Sequence, residues 1–423
     1  MSLATQDATA IAKQVQRGLV STGEVAEAFL AQIQQREPQI QAFVAFDADA
    51  VRAQATLHTG QGLLAGVPVG IKDIIDSADQ PTQYFSPIYA GHQPSRDAHA
   101  LTLLRQAGAL VMGKTHTTEF AYMHTGPTRN PHDPERTPGS SSAGSAAGMA
   151  AGFFAVALGT QTAGSLLKPA SYCGLLAFKP SLGLVSLEGI KPLAPSFDTL
   201  GWYGRSVRDL QLVARVLIPG FTPLPLESHS LNLGFCRTPR WHDVDPDVAQ
   251  ALEQGIEQLR AGGHRVSEVQ LPSEFDGVFD DHLLINDCEG ARSLATEFHG
   301  HKSQLSPSTL AMIERGMATS WEQESAAKAR LAALAPRLQQ LCEPFEAMLS
   351  PCCGMLAPLG LENTGPSDFI KFWGAFGWPQ VNLPLPRARN HLPVGLQVIG
   401  GFRSDRQLLN VAEQLVVTLH GEA

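Results

Sequence analysis

The sequence predicts an α/β fold in which a β-sheet is covered by helices on both faces. Helical patterns alternate with short apolar strands through about residue 158, and the alternation returns near the C-terminus. The strands also read as continuous apolar runs, as expected for strands buried on both sides.

The elements follow in order. Ser21-Thr-Gly-Glu24 is a capping box, and Val25, Phe29, Leu30 and Ile33 follow at helical spacing, so a helix starts there. Leu64–Lys72 reads as a short strand entered through Pro68. Ala100–Ala107 forms an apolar helix stopped at Gly108, and Ala109-Leu-Val-Met112 follows as a buried strand. Ala146–Gly159 is the longest apolar stretch. It falls short of the roughly 20 residues a bilayer demands, and its small residues suit a buried helix turning into a strand. Between about 220 and 350 the texture changes, with helical periodicity over Asp245–Leu259 and Trp321–Leu341. No repeat or linker-like run sets this stretch apart, so it reads as a helical excursion within one large domain. Val394–Ile399 is a strand and Arg406–Leu419 a helix.

Composition narrows the function classes. Of 423 residues only 17% are charged, below the usual ~25%, which indicates a compact chain and not a disordered one. Lys+Arg 31 against Asp+Glu 40 gives a net charge of -9, so a basic footprint for nucleic acid or an acidic membrane is missing. No cationic segment followed by an apolar core opens the chain, so no secretory signal is visible. The six cysteines are sparse and form no C-x-x-C pair, which predicts a reduced cytoplasmic enzyme with buried thiols. Cys352-Cys353 reads as packing.

Three motifs compete for the chemistry. Gly108-Ala-Leu-Val-Met-Gly-Lys114-Thr115 satisfies the phosphate-loop expression G-x-x-x-x-G-K-[ST]. Its middle residues, however, favour a buried strand, and a helix precedes the first glycine where a strand belongs. Ser165-Leu-Leu-Lys168 matches the S-x-x-K of acyl-serine enzymes. Pro169 biases Lys168 away from the helical conformation that would bring its amine to the serine. Neither G-x-S-x-G nor H-E-x-x-H occurs, and the 14 histidines show no ligand spacing. The third pattern is long: Thr137-Pro-Gly-Ser-Ser141-Ser-Ala-Gly-Ser-Ala-Ala-Gly148, the apolar stretch, then Leu158-Gly-Thr-Gln-Thr-Ala-Gly-Ser165-Leu-Leu-Lys-Pro-Ala170. Each Ser/Gly turn alone also fits an ordinary tight connection.

Together the two turns resemble the amidase signature family, with its G-G-S-S-G-G-S and G-G-S-I-R-x-P-A blocks in order. Outlying blocks extend the resemblance: Gly66-Val-Pro-Val-Gly-Ile-Lys72-Asp73, Gly113-Lys-Thr-His-Thr-Thr-Glu-Phe-Ala121, Thr128-Arg-Asn-Pro131 and Cys173-Gly-Leu-Leu-Ala-Phe-Lys-Pro180. Ser196-Phe-Asp198-Thr-Leu-Gly201, Arg205-Ser-Val-Arg-Asp209 and Leu392-Pro-Val-Gly-Leu-Gln-Val-Ile-Gly400 match as well. The resemblance implies a large mixed sheet wrapped by helices, with residues 1–423 as one amidase domain. The signature core would span about 64–210 and the helical excursion about 220–350.

The resemblance also implies a Ser–cis-Ser–Lys triad: Ser165 as nucleophile, Ser141 as the bridging serine on a cis peptide, and Lys72 as base. Beside Asp73, Lys72 on its own would read as a surface ion pair, and only the assembled pattern makes it a base. A serine hydroxyl needs an adjacent base, and a lysine serves only when neutral, so it must be desolvated. Backbone N–H groups of Thr162, Ala163, Gly164 and Ser165 are the candidate oxyanion donors. Ser140, Phe120 and Tyr122 are candidate substrate contacts.

Four departures from the family pattern stand out. Gln161 and Ala163 replace Asp and Gly ahead of the nucleophile, and an alanine at 163 would be strained if that position needed positive φ. Leu167 takes the place of an arginine, with Lys168 beside it. Ser140 and Ala143 replace glycines, which leaves Ser142 as the alternative bridge.

The expected activity is that of an amidase. It would hydrolyse a linear carboxylic amide through an acyl-enzyme, without cofactor or metal. The partner is a small-molecule amide, with no nucleic acid and no membrane, and a homodimer is compatible. One alternative is the amidase-like subunit of a tRNA-dependent amidotransferase, which passes ammonia to a partner. A more distant one is an S-x-x-K acyl-serine enzyme using Ser165 and Lys168. The acyl pocket is expected around Phe120–Met123 and within 280–380. The aromatics Phe369, Phe372, Trp373, Phe376 and Trp378 fit either core or an aryl-binding wall.

Overall fold

In the computed structural model, which describes residues 2–226, 229–385 and 392–421, eleven strands build one mixed sheet. They are Phe43–Ala45 (β1), Pro68–Lys72 (β2), Leu110–Thr115 (β3), Val156–Gln161 (β4), Leu176–Lys179 (β5) and Thr199–Gly204 (β6). Asn232–Cys236 (β7), Arg265–Val269 (β8), Ala347–Pro351 (β9), Gln380–Pro384 (β10) and Gly395–Ile399 (β11) complete it. Their order across the sheet is β1-β3-β2-β4-β6-β5-β10-β11-β9-β7-β8. β2 runs parallel to β3 and β4, and β7 runs parallel to β8 and β9. The strands between β4 and β9 pair antiparallel.

Every residue of β2, β3, β4, β5, β6, β9 and β11 is buried. That is the mark of a sheet covered on both faces. The capping box at Ser21 forms: its hydroxyl accepts from the Glu24 N–H at 3.2 Å, and the Glu24 carboxylate accepts from the Ser21 N–H at 2.8 Å. The helix it starts runs Thr22–Ile40. The apolar stretch becomes helix Ala143–Ala151, turns at Gly152 and enters β4. Small residues let that helix sink onto its neighbours; a Cβ on Gly144 would meet the Ala42 carbonyl oxygen at 2.3 Å.

Two expectations change in detail. The strand expected over 109–112 continues to Thr115 and carries Lys114 into the sheet. Lys114 there pairs with Asp73 at 3.0 Å, both side chains buried. The phosphate-loop letters are therefore a strand, preceded by helix His99–Gln106. Asp73, moreover, pairs with Lys114 and not with Lys72. The segment 220–350 supplies the helices Pro246–Ala261 and Trp321–Cys342, but also β7 and β8. β8 is a short, largely exposed edge strand, so its sequence carries no apolar run to announce it. Among the described residues no helix is long and apolar enough to cross a membrane. All six cysteines are buried free thiols.

Candidate active site

The site lies beyond the C-terminal ends of the parallel strands β2 and β4, a place where backbone groups are released from the ladder and loops converge. Lys72 is the last residue of β2. The first Ser/Gly turn precedes helix Ala143–Ala151, and the second leaves β4 after Gln161. The turns meet directly: the Ser142 N–H donates to the Ser165 carbonyl at 3.0 Å. A Cβ on Gly159 would stand 2.7 Å from the Ser142 Oγ, so glycine there permits the approach.

Lys72 is wholly buried. Its Nζ lies 2.7 Å from the Ser141 Oγ and 2.7 Å from the Thr160 Oγ1, and no ion pair of the described residues includes it. Burial drives the amine well below its usual range, with Asp198 opposing from a distance. The Ser140–Ser141 peptide is cis. Of the two candidate bridging serines, it is Ser141 that reaches Lys72. The Ser142 hydroxyl bonds the Thr160 backbone instead, accepting from its N–H at 3.2 Å.

Ser165 is half-buried and lines a cavity of about 360 Å³. Among the described residues its hydroxyl has no hydrogen-bond partner. None of the N–H groups of Thr162, Ala163, Gly164 and Ser165 is used in a hydrogen bond of the described residues, and a loop of unused N–H groups beside a hydroxyl is the geometry an oxyanion requires. The loop is braced from behind. The Thr162 hydroxyl donates to Asp198 at 2.6 Å, and Asp198 accepts the N–H groups of Leu193 and Ala194 at 2.8 and 3.0 Å. His282, stacked on Phe197 with centroids 4.0 Å apart, lies 3.3 Å from the Thr162 carbonyl.

The departures from the family pattern resolve physically. Ala163 is not among the residues with positive φ, so the alanine is unstrained. The Gln161 amide oxygen accepts from the N–H groups of Leu166 and Leu167 at 3.3 and 3.1 Å, and its NH₂ donates to the Gln380 Oε1 at 2.9 Å. Leu167 is buried. A neutral amide pair thus holds the loop. Lys168 corrects an expectation: it is helical, in Leu167–Cys173. Pro169 sits in the first turn, where its missing N–H has no partner to lose. The Lys168 amine nonetheless bonds the Thr364 Oγ1 at 3.2 Å and the Gly365 carbonyl at 2.9 Å, away from the S-x-x-K arrangement.

The cavity walls come from the two expected segments, through Tyr122 and Met123 and through His282, Asn286, Asp368 and Lys371; Ser140 also lines it. Phe120 does not, and packs instead behind the wall with Tyr84 and Tyr89. Phe369, Phe372, Trp373 and Trp378 are buried core, and none of the five aromatics lines the cavity. The aryl-wall reading therefore has no support here. Sequence reasoning did not single out Thr160, Asn286 or Lys371. Thr160 carried a signal, as a hydroxyl in a wholly apolar strand context. The other two are brought in only by helix packing.

A family model described as Amidase matches residues 24–409. The chain is 31% identical over 417 residues to the 2-amino-5-chloromuconic acid deaminase of Comamonas testosteroni, covering 89% of this chain and 88% of that one. It is 36% identical over 284 residues to the amidase-type component of the glutamyl-tRNA(Gln) amidotransferase of Roseiflexus castenholzii. That match covers 60% of this chain and 58% of its relative, less than two thirds of the relative's length. A crystal structure of an amidase superposes with a TM-score of 0.89 at 30% identity, over 98% of this chain and 100% of that one.

Proposed function

The chain belongs to the amidase family, and from that premise we propose that it hydrolyses a linear carboxylic amide through an acyl-enzyme on Ser165, with Lys72 as base and Ser141 as relay. The observation that carries this reading is the buried Lys72 amine, 2.7 Å from the Ser141 Oγ and without a carboxylate partner. A neutral amine so placed accepts a proton, whereas an ion-paired one would not. The Ser165 Oγ attacks the amide carbonyl carbon as its proton passes to Ser141 and that of Ser141 to Lys72. Negative charge on the former carbonyl oxygen is taken by the N–H groups of the Thr162–Ser165 loop. Collapse breaks the C–N bond, and the proton returns through Ser141 to the leaving nitrogen. Water then attacks the ester by the same relay and releases the carboxylate.

In this reading the whole chain is one amidase domain, no cofactor or metal enters the steps, and six buried free thiols accord with a reducing cytoplasm. Fluorophosphonate labelling with peptide mapping tests it on wild type and Lys72→Ala. The expected result is one adduct, on Ser165, lost in the variant. Folded wild type that stays unlabelled would overturn the assignment. The similarity to an amidotransferase component supports a second reading, in which ammonia from glutamine passes to a partner protein. Glutamine hydrolysis that needs an added partner would favour it.

A further inference from the structure

Lys168 is a buried cation on the cavity wall that the hydrolytic steps do not use. Its side chain is 4% exposed, and its Nζ donates only to two neutral oxygens, Thr364 Oγ1 and Gly365 O. An ammonium carries three donors, so one N–H is left over. No carboxylate of the described residues lies within ion-pair distance of it. Lys371, on the same wall, is already neutralised by Asp368 at 3.1 Å. Among the charged lining residues, Lys168 and Lys371 are therefore offset by Asp368 alone, which leaves one positive charge facing the cavity.

Thr364 also accepts from the Ser140 hydroxyl at 2.9 Å, so the amine is anchored to the turn that carries Ser141. An uncompensated buried charge is costly and persists where a ligand supplies its counter-ion. Burial pulls the Lys168 amine down to about 8; Cys353 and Asp368 resist this and Lys371 adds to it. It is thus mainly protonated near neutral pH.

Resting on the amidase reading above, we propose that the acyl part of the substrate bears a second, anionic carboxylate held by Lys168. The substrate class is then the monoamides of dicarboxylic acids. Lys168 sits three residues after Ser165 and lines the same cavity of about 360 Å³, so one short acyl chain spans from the scissile carbonyl to the amine. A charge-assisted hydrogen bond in a buried site favours the anion by about 10- to 100-fold over a neutral isostere.

The test compares kcat/KM for succinamate, glutaramate and adipamate with the neutral amides of equal length, butyramide, valeramide and hexanamide, and with the cation β-alaninamide. At least one anionic amide should exceed its neutral partner by about tenfold or more, and β-alaninamide should be poorest. In Lys168→Met the anionic-to-neutral ratio should fall to about one, chiefly through KM, and Lys168→Arg should retain part of it. A wild type that prefers the neutral amides, or a ratio unchanged in Lys168→Met, would overturn the proposal. The wild-type panel decides even if the methionine variant does not fold. Fluorophosphonate labelling of Ser165 runs alongside. Labelling without any anionic preference sinks only the Lys168 assignment, whereas absent labelling and absent turnover remove the amidase reading itself.

Discussion

Gly164→Ala isolates the oxyanion loop, because it adds one methyl group and leaves Lys72, Ser141 and Ser165 untouched. The φ of Gly164 is not in the left-handed region, so an alanine is not strained by its own backbone. The obstacle is contact. A Cβ there would stand 2.7 Å from both the Cβ and the Oγ of Ser367, and 3.3 Å from the Ile370 Cδ1. Carbon atoms prefer separations of about 3.5–4.0 Å, so the loop or Ser367 must yield by roughly 1 Å. A shift of that size costs about 100-fold in an aligned site, and loss of one oxyanion donor about 100- to 1,000-fold. The variant should therefore lose about 100- to 1,000-fold in kcat and label slowly with fluorophosphonate, while its melting temperature confirms folding. Ser367→Gly removes both offending atoms. Ser367 precedes helix Asp368–Gly374 without a side-chain cap hydrogen bond, so this second change costs only a few tenths of a kcal/mol. The double variant should regain most of the rate of Ser367→Gly alone. A fully active Gly164→Ala, or a double variant no better than it, would refute the reasoning.

Further expectations concern pH, stability and the discounted motif. Because the neutral form of Lys72 is the active one and burial lowers its pKa, kcat/KM should rise with pH through an apparent value below about 10.4. Burial holds His116 near 4 and His282 near 3, so a profile governed by a group near ~6.5 would contradict the assignment. Gln161→Ala strands two loop N–H groups and the Gln380 oxygen, and should cost about 2–3 kcal/mol in denaturant unfolding; an unchanged midpoint would show the bonds are dispensable. Lys179 is buried, donates to the Pro180 carbonyl, and is pulled to about 7 by burial against the pull of Asp405. The unfolded chain then holds the extra proton from about pH 7 up to its own value of about 10.4, so this group makes stability rise across that window, and its cost is fully present below it. Lys179→Met should raise stability at pH 6 by up to about 4 kcal/mol at ~1.4 kcal/mol per tenfold change in proton affinity, and thermal melts showing no gain would count against it. Titration with ATP should give no binding heat, since the letters at 108–115 lead into a buried strand whose lysine is paired.

The sequence alone determined the fold class, the order of the central elements and the residues of the two turns. These are local matters: a capping box, runs of apolar residues and Ser/Gly turns follow from patterns a few residues long. The family resemblance also pointed to Lys72, Ser141 and Ser165 together, though Lys72 alone reads as a surface partner of Asp73. Only the tertiary structure decided that Asp73 belongs to Lys114 and that Lys72 is fully buried against two hydroxyls. It likewise decided that Lys168 turns away from the S-x-x-K arrangement, that Ala163 is unstrained, and that the C-terminal aromatics are core and do not wall the cavity. The edge strand β8 and the helix-borne Asn286 and Lys371 were equally hidden. Burial, charge pairing and cavity walls depend on residues hundreds of positions apart, and no local pattern encodes which of them will meet.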